Sequence, residues 1–392
     1  MKMNYAFYIF IGIFLTISGL LHFYFYRKII KAFPLALPYH ILIILILIFL
    51  ILSPIIMRLI EGKVPEIIYT ITVYTGYIWM GIIFLLFSFN LVVDLYQFIV
   101  FILSRVFDPA LTKYMPPHRT TFLVIAALIA FINIYGFFEA GRIKTEKVIF
   151  KTGKLPADID LLRVVQISDI HFSRTNGLKL ADKITGIIKE LNPDILVSTG
   201  DLIDDGLKEV EEVQGLFREI NTSYGKYAAT GNHEFIAGIE KTSKFTRDCD
   251  FKLLRNETVK INEFFTIAAI DDPGVNRNGE SPVPDESSIL DSLSDDHINL
   301  YLKHQPIVDP ENIGKFDLQL SGHTHNGQIF PFKFFVNLSY KYITGLYDLG
   351  NDSLIYVSRG TGTWGPPIRF LSPPEITVVD FVQKSDIINP ER

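Results

Sequence analysis

An α/β domain preceded by an all-α region of four transmembrane helices is the fold class this sequence predicts, on three observations. The first third is dominated by Ile, Leu, Phe and Tyr, with charges gathered into short clusters. Beyond about residue 140, Asp, Glu, Lys and Asn interleave with short apolar runs, as in a soluble globular domain. In that second part, strand-like and helix-like segments alternate at the spacing of βαβ units. The expected division is 1–140 for the membrane region and 141–392 for the α/β domain, and 392 residues suit more than one domain.

The membrane region reads as four spans. Residues 4–26 are apolar and end in the cluster Arg27, Lys28 and Lys31. That run is too long for the apolar part of a cleaved leader, and no small-x-small site follows it. Tyr39 to Met57 is nearly all Ile and Leu and stops at Arg58. The third run, from near Ile67 to about Phe107, is roughly twice the ~20 residues that one crossing needs. Asn90, Asp94, Gln97 and Arg105 fall on one face of its second half. That stripe fits one long tilted helix with a polar face, or a span followed by an interfacial helix over 90–107. A structural contact between helices, or a place at the membrane interface, is the expected role for Asp94 ahead of a functional one. The fourth span runs from about Thr121 to Phe138. Basic residues divide almost evenly between the two sets of loops. The dense cluster after the first span favours a cytoplasmic loop there and an extracytoplasmic C-terminal domain.

The domain elements follow in order. Leu161–Ser168 reads as a buried strand, Leu178–Leu191 as a helix, Ile195–Thr199 as a strand, Val210–Ile220 as a helix and Tyr227–Thr230 as a strand. Further strands are expected at Thr258–Ile261, Thr266–Ile270, Ile298–Leu302 and Leu318–Leu320, with strands and turns from Leu354 to Phe381. A formal net charge of -5 and no basic stripe give no sign of a nucleic-acid partner. One cysteine, Cys249, excludes an internal disulfide framework and a thiolate metal cluster within one chain.

Metal-ligand residues sit at the strand ends. The blocks are Asp169-Ile-His171, Gly200-Asp201, Gly231-Asn232-His233-Glu234, His304 and Gly322-His323-Thr-His325. Five of the nine histidines lie in them, while His22, His40, His118 and His297 have no partner pattern. Ligand-binding loops of open α/β sheets lie beyond the carboxyl ends of the strands, so blocks distant in sequence converge on one crevice. Asp and His are good ligands for Mn, Fe and Zn, and a carboxylate bridges two of them well. Two such ions about 3.5–4 Å apart hold the attacking and leaving oxygens of an in-line displacement at phosphorus. About seven ligands suffice, and Asp169, His171, Asp201, Asn232, His304, His323 and His325 supply them.

These blocks resemble the calcineurin-like metallophosphoesterase superfamily over residues 160–370. The resemblance implies a four-layer α/β-β/α metallophosphoesterase sandwich. It also implies two divalent ions (Mn, Fe or Zn, with Mn favoured). Asp169, His171 and His325 would hold one, Asn232, His304 and His323 the other, and Asp201 both. His233 would protonate the leaving oxygen or steady the transition state. Asn326-Gly327-Gln328 after the last histidine, the run Arg359–Gly362 and the segment Pro366–Arg369 are similar to a bacterial membrane-linked subgroup, which implies the bacterial plasma membrane.

Arg359 and Arg369 are candidate phosphate clamps, since a guanidinium matches phosphate geometry; surface or structural pairing is the alternative for each. The aromatic segment 330–347 reads either as a core-packing loop or as an apolar flap touching lipid. The reading is a membrane-anchored dinuclear-metal phosphohydrolase of a lipid or lipid-linked substrate, UDP-2,3-diacylglucosamine being one specific case. The rivals are a tethered phosphodiesterase of soluble nucleotides or envelope polymers, and a metal-loaded membrane sensor without turnover.

Overall fold

The computed structural model describes residues 5–204, 206–278 and 285–384. Packing divides the chain into two units, one ending at Phe137 and including Gly365–Pro367, the other starting at Phe138.

The first unit contains four helices long and apolar enough to cross a membrane: α1 (Tyr5–Ala32), α2 (Leu37–Ile60), α3 (Glu66–Val106) and α4 (His118–Ala140). The chain is a membrane protein on that length and composition. Pro38 near the start of α2 costs little, because the first helical N–H groups have no internal acceptor. The third helix is one unbroken run of 41 residues. At 1.5 Å per residue it is about 60 Å long, against roughly 30 Å of hydrocarbon core. Asp94 lies on it and accepts from the Tyr24 hydroxyl (2.6 Å) while pairing with Lys28, so α1 and α3 meet through a charge. His22 accepts from Trp79 Nε1 (2.8 Å), and His40 pairs with the Tyr26 hydroxyl (2.9 Å). Both histidines are structural.

The second unit holds twelve strands among the described residues. One six-stranded sheet has the order β1-β12-β2-β3-β4-β5, from Lys144–Thr152, Glu375–Gln383, Leu161–Ile167, Ile195–Ser198, Lys226–Ala228 and Lys252–Leu253. The other has the order β10-β11-β9-β8-β7-β6, from Gly345–Gly350, Ser353–Val357, Leu318–Ser321, Ile298–Leu302, Phe265–Ala269 and Glu257–Asn262. β2 to β5 run parallel, as do β7, β8, β9 and β11.

Alternation along each strand builds the layers. Val164 and Val197 face inward with Phe265, Ile267, Leu300 and Leu318, forming the core between the sheets. Their neighbours Val165, Ile167 and Leu196 face the opposite way and pack on α5 (Leu178–Leu191), α6 (Val210–Arg218) and α8 (Ile239–Asp248). Cys249 is buried in this second core. Ala268 and Tyr301 on the far face of the other sheet meet Leu290 of α9 (Glu286–Leu290). The result is helices, sheet, sheet, helices: the four-layer α/β-β/α arrangement. The edge strand β1 pairs in parallel with β12 from the far end of the chain. That pairing has no signal in local sequence, because it joins segments more than two hundred residues apart.

Candidate metal centre

Three of the expected residues follow neighbouring parallel strands: Asp169 after β2, Asp201 after β3 and Asn232 after β4, where it opens α7 (Asn232–Ala237). His304 follows β8, and His323 and His325 follow β9. Five of the seven expected ligands, His171 included, have positive φ: Asp169 (51°), His171 (53°), Asp201 (52°), His323 (70°) and His325 (48°). Side chains with a Cβ seldom occupy that left-handed region, and such backbone concentrates at functional sites.

Backbone donors hold the loops in this shape. His323 N–H donates to both Asp169 oxygens (2.9 and 3.0 Å), and His233 N–H donates to Asp201 Oδ1 (2.8 Å). Glu234 accepts from Asp201 N (2.9 Å), Leu202 N (2.8 Å) and Gly231 N (2.7 Å), tying two loops together. Two glycines make the close approaches possible. A Cβ on Gly231 would lie 2.2 Å from Asp201 Oδ1, and one on Gly322 would lie 2.1 Å from Asp169 Oδ2.

The side chains converge in overlapping sets. Asp169, His171 and His325 form one, and Asp201, His304 and His323 another; within each set the ligand atoms lie within 4.8 Å of one another. Asp201 Oδ2 is 3.1 Å from His304 Nε2 and 3.7 Å from His171 Nε2, so this carboxylate faces both sets. His171 Nε2 and His325 Nε2 approach to 3.2 Å, as do His304 Nε2 and His323 Nδ1. Asn232 Oδ1 is buried with no hydrogen-bond partner among the described residues. Convergent imidazole nitrogens, carboxylates and an orphaned amide oxygen form a donor set that suits two divalent cations. The outer nitrogens have partners of their own, as metal-bound imidazoles do. His304 Nδ1 lies 2.8 Å from Thr199 O, His171 Nδ1 3.2 Å from Asp204, and His323 Nε2 2.7 Å from the Tyr340 hydroxyl.

Residues 162–327 match the family described as calcineurin-like phosphoesterase. An uncharacterized metallophosphoesterase of Aquifex aeolicus is 33% identical over 65% of this chain and 98% of its own length. The chain belongs to the calcineurin-like metallophosphoesterases. A second relative, from Campylobacter jejuni, is 32% identical over 67% of this chain and 69% of its own. A Danio rerio protein named for a transmembrane region with a metallophosphoesterase domain is 30% identical, over 67% of this chain and 62% of its own. The chain is thus a metal-dependent phosphoesterase with a candidate dinuclear site.

One residue of this metallophosphoesterase site escaped the sequence reading. Asp204 Oδ1 lies 2.7 Å from His233 Nδ1 and 3.2 Å from His171 Nδ1. Burial works against the charged form of His233, but Asp204, backed by Asp201, outweighs it and raises the imidazole to about 9. The carboxylate itself, despite its burial, is held well below the usual range by the two histidines. The available signal was position, since Asp204 lies three residues past Asp201 in the same loop.

Both candidate phosphate clamps, Arg359 and Arg369, have protein partners, the structural pairing that is the alternative for each. Arg359 is taken up by Glu375 (2.7 Å), Glu146 (2.5 Å) and Pro373 O (3.0 Å). Arg369 is wholly buried and donates to Gly362 O, Arg359 O and Ser372 O, with Nη2 3.1 Å from His325 Nδ1. Its guanidinium braces the loop behind His325, because a buried charge needs every donor paired.

The aromatic segment is not a core loop. Phe332, Phe334, Phe335 and Leu338, on and beside α10 (Lys333–Ser339), are exposed, Leu338 to 84%. Tyr340 ties the segment to His323, and the Thr324 hydroxyl donates to Ile343 O (2.7 Å). Trp364, also exposed, has its ring 5.9 Å from that of His233 and is held by Gln328 through both backbone groups (2.9 Å each).

Proposed function

We propose that this chain hydrolyses a phosphoester or pyrophosphate bond of a lipid or lipid-linked substrate. The observation that carries the reading is the exposed apolar rim joined to the ligand cluster, with Trp364 beside His233 and the Phe332–Leu338 surface anchored through Tyr340 to His323. A soluble phosphoester needs no such rim, and exposed aromatics of this density have a use where acyl chains are bound. Four helices able to span a bilayer keep the enzyme with lipids. UDP-2,3-diacylglucosamine, with a pyrophosphate and two acyl chains, is one substrate of this form.

In this reading Asp169, His171 and His325 would hold one divalent ion and Asn232, His304 and His323 the other, with Asp201 available to both. Manganese is favoured over iron and zinc. When bound, such a pair supplies Lewis acidity at phosphorus and a nucleophile at neutral pH. His233 is protonated at neutral pH and donates its proton to the leaving oxygen, while Asp204 fixes the ring through Nδ1 and stabilises its charge. Glu234 and the backbone donors keep both carboxylates aimed without reorganisation.

Full-length protein loaded with Mn is to be assayed on a soluble aryl phosphodiester and on lipid phosphates in mixed micelles. Replacing Phe334 by Ser is expected to raise KM for lipid about tenfold, the worth of roughly one buried aromatic contact. The soluble ester should be cut as before. Equal effects on both substrates, or preference for free nucleotides, would favour tethered hydrolysis of soluble esters. Metal binding without any turnover would favour a sensor.

A further inference from the structure

We propose that Asp272, Gln305 and Tyr340 form a chain of hydrogen bonds that positions His323, fixing which of its ring nitrogens faces the metal centre. The inference rests on the ligand assignment proposed above, in which His323 holds the second ion. Asp272, Gln305 and His323 come from the ends of neighbouring parallel strands: beyond β7, β8 and β9 respectively. Tyr340 comes from elsewhere, as the residue that closes α10 beneath the exposed apolar surface.

Each link allows one direction only. Asp272 is buried and, as a carboxylate, has no proton to give. It accepts from Gly274 N (2.7 Å) and from Gln305 Nε2, which lies 3.1 and 2.9 Å from its two oxygens. The Gln305 amide therefore turns its NH2 toward Asp272 and its oxygen away. That oxygen only accepts, and the Tyr340 hydroxyl donates its single proton to it (3.1 Å). With the proton so engaged, the hydroxyl oxygen accepts from His323 Nε2, 2.7 Å away. His323 is thus an Nε2–H imidazole whose Nδ1 lone pair faces the cluster.

His304 reaches the matching state by a shorter route. Its Nδ1 lies 2.8 Å from Thr199 O, which only accepts, so Nδ1 carries the proton and Nε2 the lone pair. The lone pairs of His304 Nε2 and His323 Nδ1 then stand 3.2 Å apart with no hydrogen between them. Two such acceptors repel each other until a cation takes both, which is the state a metal ligand needs. The reverse tautomer of His323 would place a proton on Nδ1, donate it to His304 Nε2 and close the pair to metal. Asp272, two residues removed along the chain of bonds, excludes that tautomer.

Mn(II) binding to the full-length protein, counted by equilibrium dialysis, tests the chain. Wild type should bind two ions, and His323→Ala should lose one of them. Tyr340→Phe removes the hydroxyl and keeps the ring. It should weaken one ion roughly 10–100-fold and leave the other unchanged, the usual loss when the partner behind a metal-bound histidine is removed. Asp272→Asn keeps the shape but lets the chain run either way, since an amide both donates and accepts. It should weaken the same ion, and in the Tyr340→Phe background it should have no further effect, because both residues act through one chain. Unchanged binding of both ions in Tyr340→Phe overturns the proposal. So does equal weakening of both, which would make Tyr340 a brace of the fold. An Asp272→Asn effect of the same size with and without the Tyr340 hydroxyl also overturns it, marking Asp272 as a charge acting through space. Two tightly held ions in His323→Ala would instead overturn the ligand assignment, and the chain with it.

Discussion

His233 touches Asp201 with its backbone and Asp204 with its ring, and the two contacts have different effects. The first sets where the residue stands; the second sets when it carries a proton. Asp204→Asn removes the charge that raises the imidazole to about 9, so the His233 pKa should fall toward the ordinary value of about 6.5. An acid needed in its protonated form is lost as pH rises through its pKa. The alkaline limb of the pH profile for kcat/KM should therefore move to lower pH in the variant, with activity at pH 6 least affected. A limb that stays in place would remove His233 from the proton-donor role. The two arginines teach the opposite lesson about single residues. A guanidinium near phosphate chemistry suggests a clamp or a structural pair, and both arginines have structural partners in Glu146, Glu375 and the loop carbonyls around residues 359–373.

Among the elements, the helices and strands that carry the ligands were legible because their signals are local. Leu178–Leu191 and Ile298–Leu302 match the sequence reading to the residue, since apolar spacing and strand composition lie within each segment. The candidate metal residues were legible as a converging set because the blocks that carry them stand at strand ends, where a polar side chain interrupts an apolar run. What local sequence could not show was partnership at a distance: β1 against β12, Asp204 under His233, and Arg369 behind His325. Asp380 on β12 illustrates the energetic weight of such contacts. It joins Arg163 of β2 through two hydrogen bonds (2.8 and 3.1 Å) and Lys147 of β1 (2.8 Å), linking three strands. Burial disfavours its charge, but the two cations hold its pKa below the ordinary range. A depressed carboxylate contributes stability above its unfolded pKa and loses it as pH falls through the folded one. Asp380→Asn should therefore cost roughly 1–3 kcal/mol at pH 7, and the difference from wild type should shrink below about pH 4. Urea unfolding at both pH values measures this; an undiminished difference at low pH would contradict the linkage.

For the whole molecule, the two units have separate sources of stability. The two larger cores of the catalytic unit draw only on residues from Ile143 onward. A chain beginning at Phe138 should fold cooperatively and bind two metal ions per molecule. Circular dichroism and elemental analysis check this, and an aggregated or metal-free product would show that the helices are required for folding. The four long helices, as four crossings, return the chain to the side on which it began, so an N-terminal tag and the metal centre should share one compartment.

That compartment can be read chemically because of Cys249. The thiol is fully enclosed by the helix-facing core, and burial pushes its pKa up, so the reactive thiolate is scarce. The unaltered chain is consequently a silent background for maleimide, and no cysteine-free variant is needed. Leu338→Cys, at the most exposed apolar position beside the metal centre, becomes a single addressable handle. In intact cells an impermeant maleimide should label it if the catalytic unit lies outside, and only after permeabilisation if it lies within.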